Sequence, residues 1–442
     1  MDNTRNFDLW PPRDSHELAR HLAGATIGGR GSDRVSVGIL VGNERFFASK
    51  GDHGVVTSTG DDPIVLGCLT KVFTATLVAE VIARHSTSPQ HDAATLLEQS
   101  DSCAPSLRRI RLHDLLNHTH GLDASLLQTL PRRADGFIDP RALWEALSAV
   151  PQLSAPGELY SYGNAGAWLS AAILEQLTRR KYYELFLERL VQPLGLTSVR
   201  NLDVDTCPAR GNRITMSIYD VLTFLHLHLR HDGARIDHSP HFSANLASMR
   251  SDPFPLPGWS PSECASCEGW KSYGSECFGH NAISHRYLAL VRIHPATQTA
   301  IVFAGGSYTT FVRLFSSVLP EFRNLRPPRL LPAEALTTLD IERYTGTYRT
   351  GALALKIGRI DTTLTCDLTP MAKHPRAHSG ESTPLIAASD DVFFPRVSCG
   401  PELPYLQFIV PRNDEKFEYL WNGKYVWRRS ETTHGGRDNA FR

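Results

Sequence analysis

A membrane-spanning run is the first thing this sequence lacks: no stretch reaches the roughly 18 uncharged apolar residues that a helix needs to cross a bilayer. The best candidate, Val72 to Ala83, is bounded by Lys71 and interrupted by Glu80, so it is expected to be a buried core helix. An excess of one charge is lacking too. Lys+Arg and Asp+Glu balance at 46 each, which leaves no global field to favour nucleic acid or an acidic membrane surface. The opening residues, MDNTRNFDLWPPRD, contain no apolar core and no small-residue cleavage site, an argument against a secretory signal. The expected address is therefore cytoplasmic, with the eight cysteines as free thiols rather than a disulfide framework. Internal repeats and low-complexity tracts are absent as well, which excludes solenoid and fibrous architectures.

What is present is the composition of a globular protein, 41% hydrophobic and 21% charged over 442 residues, a length that fits two or three domains of about 150 residues. Residues 34 to 51 predict two strands joined at Gly42-Asn43, a hairpin signal. A helix is expected from Leu69 to Arg84, with Val72, Phe73, Thr76, Leu77, Val81 and Ile82 on its buried face. Further apolar helices are expected over Ala165 to Gln176 and Tyr219 to Leu229. Strands return at Tyr287 to Ile293 and Thr299 to Ala304 around a His294-Pro295 turn. Helix-rich sequence between two sets of strands predicts the α+β class, an antiparallel sheet flanked by helices. A proline-rich stretch at 327–332 reads as a linker between a domain at 1–326 and a second at 333–430. In the latter, short alternating segments at regular spacing predict a small β-barrel or sandwich. Residues 431–442 form a polar tail expected to be disordered.

Three constellations carry possible chemistry. In Cys68-Leu69-Thr70-Lys71, two residues three apart at a helix start can share a face, and both the helix N-terminus and a nearby cation favour the reactive thiolate. Its plainer reading is a buried cysteine beside a solvated lysine. In Tyr162-Gly163-Asn164, a tyrosine near a lysine can act as general base or acid, and an asparagine offers both donor and acceptor. The plainer alternative is a turn tyrosine with a capping asparagine. In Gly279-His280-Asn281-Ala282, polar side chains could line a cleft beside a sheet edge. The N–H of Ile283 could there form an oxyanion hole with that of Cys68.

Together, C-L-T-K, Y-G-N and H-N-A resemble, in order and spacing, the S-x-x-K, Y-x-N and H/K-x-G motifs of the serine β-lactamase and penicillin-binding-protein superfamily, in particular its class C and esterase branch. The segment Arg111 to Leu122 is similar to its L-L-x-H-T-S-G-L stretch, and Pro193-Leu194-Gly195-Leu196 to its P-L-G-M turn. Tyr344-Thr345-Gly346-Thr347-Tyr348 resembles the opening of its appended lipocalin-like domain. The resemblance implies an all-helical subdomain beside the sheet and a small C-terminal β-barrel. It further implies acyl transfer with Cys68 as nucleophile, Lys71 and Tyr162 as its proton-transfer partners, and Asn164, His280, Asn281 and Ile283 in substrate binding. Such chemistry calls for no cofactor and no metal; the partners are a small-molecule or peptide acyl donor and an acceptor, with water as one candidate.

Two departures stand out, Cys68 where the family has serine and Ala282 where it has glycine. The first admits a thiol enzyme, a catalytically silent binding protein or an engineered trap. A barrel that carries a lipophilic ligand is a further alternative. A competing pattern, Cys264, Cys267, Cys277 and His280 in C-x2-C-x9-C-x2-H spacing, could hold zinc if His280 left the cleft.

Overall fold

The computed structural model describes residues 15–24, 35–51, 54–85, 87–97, 109–123, 152–201, 211–230, 240–256, 265–273, 276–283, 288–305, 341–350, 353–361, 363–370, 382–387, 391–396, 406–412, 416–422 and 425–430. Helix α1 (Ser15–Gly24) leads into the expected hairpin, β1 (Val35–Val41) and β2 (Glu44–Gly51). Val41 pairs with Glu44 across a turn in which Gly42 takes φ +59°, a conformation that glycine adopts without penalty. Strands β3 (Gly54–Thr57) and β4 (Pro63–Gly67) precede the central helix α2 (Thr70–Arg84). Then come α3 (Ala93–Leu96), α4 (Leu112–Asn117), α5 (Ala165–Thr178), α6 (Tyr182–Phe186), β5 (Gly211–Ser217), α7 (Ile218–Arg230) and α8 (Pro240–Ser248). The domain closes with the short strands β6 (Phe254–Pro255), β7 (Ala265–Ser266) and β8 (Lys271–Ser272), then β9 (Phe278–Ile283), β10 (Leu288–His294) and β11 (Thr299–Gly305).

Nine of these strands form one sheet in the order β3-β2-β1-β11-β10-β9-β8-β7-β6, with each neighbouring pair antiparallel. The central strands are buried on both faces because both are covered. Val35, Val37, Ile39, Leu290 and Phe303 pack with α1, whereas Leu40, Val291, Ile293 and Val302 join the helices of the other side. Gly38 makes that second contact possible: a Cβ there would lie 2.3 Å from Cγ2 of Ile218, so α7 can press against the strand only where no side chain intervenes. Helix α2 is buried on nearly every side, from Thr70 to Ile82, as its continuous apolar run predicts. Two features had no clear signal in the hydrophobic pattern. Strands β4 and β5 make a separate two-stranded sheet, and the third motif lies within a strand of its own, β9.

The C-terminal strands β12 (Gly346–Arg349), β13 (Leu353–Ile360), β14 (Thr363–Pro370), β15 (Thr383–Ala387), β16 (Val392–Pro395), β17 (Leu406–Arg412), β18 (Lys416–Trp421) and β19 (Val426–Arg429) close into a barrel. Tyr348 pairs with Arg429 to seal it. Aromatic rings occupy its interior: Tyr344 lies 5.0 Å from Phe408 and 5.2 Å from both Phe393 and Phe417. Side chains therefore stand where a lipophilic guest would sit, and the carrier alternative loses its support. The expected linker at 327–332, the boundary at 326 and the tail at 431–442 fall outside the described residues.

The barrel is docked on the N-terminal domain. Val392, Tyr419, Trp421 and Val426 share an apolar cluster with Leu159, Tyr160 and Leu256, and the Val426 N–H donates to Ser161 Oγ at 3.2 Å. Trp421 and Tyr160 are both fully buried there. The barrel thus grips the segment that leads into the second motif.

Candidate active site

Cys68 lies in the turn between β4 and α2, where the chain leaves the small sheet. The turn is closed by the Leu69 N–H donating to Leu66 O at 2.8 Å and the Lys71 N–H to Cys68 O at 3.1 Å. Of the described free cysteines, Cys68 alone is partly exposed; Cys267, Cys277 and Cys366 are buried. Lys71 is buried in the first turn of α2. A cation there opposes the positive end of the helix dipole and loses hydration, two unfavourable terms of the kind tolerated at functional sites.

The ammonium of Lys71 donates to Asn164 Oδ1 at 2.9 Å and sits 4.8 Å from the ring centre of Tyr162. Asn164 occupies the N-cap position of α5, so the helix that anchors the second motif also aims its carboxamide at the lysine. The close approach of that helix has a steric origin. A Cβ on Gly166 would lie 2.0 Å from the carbonyl oxygen of Leu115, so α4 and α5 touch backbone to backbone.

Helix α4 ends at His118, which takes φ 60° as its left-handed C-cap. Its carbonyl accepts the Ser161 N–H at 2.9 Å, its Nδ1 accepts the Gly163 N–H at 3.4 Å, and its ring lies 4.6 Å from that of Tyr162. An accepting Nδ1 requires a neutral imidazole with the proton on Nε2. The surroundings enforce that state. Burial pushes the His118 pKa well below its ordinary value, and the charges of Lys71, His120, Lys271 and His280 push the same way.

On β9, His280 and Ala282 face the helices, opposite Val291 and Ala289 in register. The ring of His280 lies 6.1 Å from Tyr162, and its Nδ1 is 2.9 Å from the carbonyl of Asn281. Burial, then Lys271 and Lys71, drive its pKa well below the ordinary histidine value. The neutral ring must therefore donate from Nδ1 to that carbonyl, which leaves Nε2 an acceptor. Asn281 turns to the other face of the strand, where its Oδ1 accepts from buried Arg292 at 2.9 Å. Ile283 ends the strand, opposite Leu288.

The three motifs thus converge, with Lys71, Tyr162, Asn164 and His280 around the Cys68 turn and Asn281 held on the far face by Arg292. Sequence reasoning passed over two residues that lie against Tyr162. His118 lay within a segment read only as a family landmark. Lys271, on β8, has its ammonium 4.9 Å from the Tyr162 ring centre and gave no motif signal at all. The zinc pattern gains no support here: among the described residues no group of three His, Cys, Asp or Glu side chains could hold a metal ion, and Cys264 lies outside them. A cavity of about 450 Å³ lined by Leu97, Glu175, Arg179 and Glu184 is distant from these motifs, on the α5–α6 side.

This architecture is of the β-lactamase-like type, and comparison with known proteins agrees. Residues 22–205 match the β-lactamase family model. The chain is 24% identical over 199 residues to the D-alanyl-D-alanine-carboxypeptidase/endopeptidase AmpH of Escherichia coli K12, a match covering 42% of this chain and 49% of AmpH, so it spans about half the length of that relative. The fold is similar to that of SurE, with a TM-score of 0.70 and 19% identity over 94% of this chain and 99% of that one. A D-stereospecific amidohydrolase from Streptomyces sp. aligns with a TM-score of 0.54 and 19% identity over 70% of this chain and 99% of its own. These matches support a relationship of residues 22–205 to the serine β-lactamase and penicillin-binding-protein-like superfamily. Among the described residues no helix is long and apolar enough to cross a membrane.

Proposed function

We propose that this protein is an acyl-transfer enzyme that works through a thioester on Cys68. The observation that carries the proposal is the convergence of a buried lysine, a tyrosine and an asparagine, with Lys71 Nζ 2.9 Å from Asn164 Oδ1 and 4.8 Å from the Tyr162 ring, beside the partly exposed thiol of a helix-start turn. Tyr162, with Lys71, takes the proton from Cys68 Sγ as the sulfur attacks an ester, thioester or amide carbonyl. The N–H groups of Cys68 and Ile283 receive the oxyanion. As the tetrahedral adduct collapses, the C–S bond is kept, the bond to the leaving group breaks, and the Tyr162 proton passes to that group. Water, an amine or an alcohol then attacks the thioester and gives its proton to Tyr162, the C–S bond breaks, and that proton passes to Cys68 Sγ. Asn164 and His280 orient the donor.

The names of the relatives, a D-alanyl-D-alanine carboxypeptidase and a D-stereospecific amidohydrolase, favour a peptide or amino-acid donor with a D-configured residue at the reacting bond. Thioesters react readily with amines, so a cleft that excludes water would favour transfer or cyclisation over hydrolysis, as a biosynthetic enzyme requires. A nucleophilic free thiol also suits a reducing cytoplasm.

The test is intact-protein mass spectrometry after incubation with acyl esters, acyl thioesters and β-lactams, comparing wild type with Cys68→Ala. A mass increment confined to wild type supports the thiol nucleophile, and the donor that labels it names the substrate class. A folded wild type that accepts no donor favours the silent binding protein.

A further inference from the structure

The third motif supplies a neutral acceptor where an acylation site gains from a cation, because His280 carries its proton on Nδ1, bonded to Asn281 O. A second cation nonetheless stands at Tyr162. Lys271 Nζ is 4.9 Å from the ring centre and Lys71 Nζ is 4.8 Å from it. Two ammonium groups at cation–π distance of one phenol stabilise any negative charge the ring takes on, since a phenolate spreads its charge from oxygen into the ring.

The position of Lys271 is built, not incidental. The turn before it is pinned to α2 at Gly269, whose φ is +75° and whose Cβ, were there one, would lie 2.6 Å from Cβ of Ala75 and 3.0 Å from Lys71 O. The Gly269 N–H donates to Leu116 O at 3.2 Å. Glu268 pairs with His113 of α4 at 2.9 Å and raises its pKa. On the other side, Lys271 is in register with Gly279 of β9. The turn is therefore fastened to the elements that carry the first motif, the His118 cap and the third motif, and it delivers one lysine to Tyr162.

Resting on the function proposed above, we propose that Lys271 is a positioning residue of the acylation site: with Lys71 it stabilises the negative charge that Tyr162 bears when it serves as proton acceptor for Cys68. Among the described residues, the groups that face Tyr162 include Lys71 from α2, His118 from the cap of α4, Lys271 from β8 and His280 from β9. The barrel side contributes the apolar cluster around Trp421, where burial holds the Tyr419 pKa up at about 12. Both histidines are kept neutral, so the lysines are the cations among these groups that act on the phenol near neutral pH.

The test compares Lys271→Met and Lys271→Arg with wild type in two measurements. One is the rate of Cys68 acylation across pH with a small uncharged donor. The other is the titration of Tyr162 itself, read as tyrosinate absorbance against the matching Tyr162→Phe variants, which does not need Cys68 to react. Lys271→Met should slow acylation at neutral pH roughly tenfold and move both curves about one unit towards higher pH, with KM unchanged and Lys271→Arg restoring both. Coincident titration curves for wild type and Lys271→Met would overturn the proposal. So would a loss confined to donors with a free carboxylate, which would make Lys271 a reader of donor charge. If no donor acylates Cys68 while the tyrosinate curve still shifts, the thiol mechanism fails and the role of Lys271 at Tyr162 stands.

Discussion

Replacing Gly166 with alanine tests whether the site depends on the contact between α4 and α5. A Cβ at 166 would lie 2.0 Å from Leu115 O and 2.9 Å from Leu115 C, both backbone atoms. A carbon and a carbonyl oxygen rest about 3.3 Å apart, so the two helices must separate by roughly 1 Å. Overpacking of this kind costs about 1–3 kcal/mol, against up to about 1 kcal/mol regained from the better helix propensity of alanine. A net loss near 1–2 kcal/mol should lower Tm by about 2–6 °C in a domain of this size. The larger effect is expected on chemistry, because α4 ends in His118 and α5 begins beyond Asn164, on either side of Tyr162. A displacement of about 1 Å at such a site costs on the order of 100-fold in rate. Thermal melts and the rate of Cys68 labelling measure both. Gly166→Ala that labels at the wild-type rate would refute the idea that helix contact sets the site geometry, whatever its Tm.

Three further outcomes are expected. Lys71→Met should slow acylation by about 100- to 10,000-fold, the range of a lost proton-transfer partner, in the same mass-spectrometric assay; near-wild-type labelling would remove Lys71 from the mechanism. Trp421→Ala, at the buried contact with Tyr160, should cost about 3–5 kcal/mol from the cavity it leaves and depress acylation. Denaturation curves with unchanged stability would mean the barrel does not grip the second motif. The pH dependence of stability follows from His120, whose pKa burial lowers to about 4, with Asp114 opposing. The folded state then resists the proton that the unfolded chain takes up below its ordinary pKa. Stability is fully present above that pKa and falls as pH drops towards the folded value, by roughly 2 kcal/mol at about pH 5 from this group alone. His118 and His280 act in the same direction. His120→Asn, which keeps an acceptor for the Leu122 N–H, should flatten the acid loss seen in denaturant titrations; an unchanged slope would show that His120 does not cause it.

The chemistry of the thiol gives the barrel added interest. Its interior is filled by aromatic rings, while its outer apolar face shares a cluster with Tyr160 and partly buried Tyr162. Its contribution is therefore exerted on the segment that carries the proposed base, through the Trp421 cluster and the Val426–Ser161 bond.

Local order was legible from the sequence alone. The hairpin at Gly42-Asn43, the central helix after Cys68, the helix after Asn164 and the alternating barrel strands are periodic or turn signals within a few residues, and such signals survive without tertiary context. The groups Cys68, Lys71, Tyr162, Asn164 and His280 were singled out by the joint resemblance of three short motifs to one family pattern, each motif alone having a plainer reading. Only the tertiary structure decided the rest. Lys271 reaches Tyr162 because Gly269 lets a turn settle on α2, His118 because a left-handed cap turns its ring towards the second motif, and Asn281 leaves the cleft because a pleated strand alternates its faces and Arg292 waits on the other. The neutral states of His118 and His280 likewise come from burial and from lysines far away in the chain. These are contacts between distant segments, and no local periodicity encodes them.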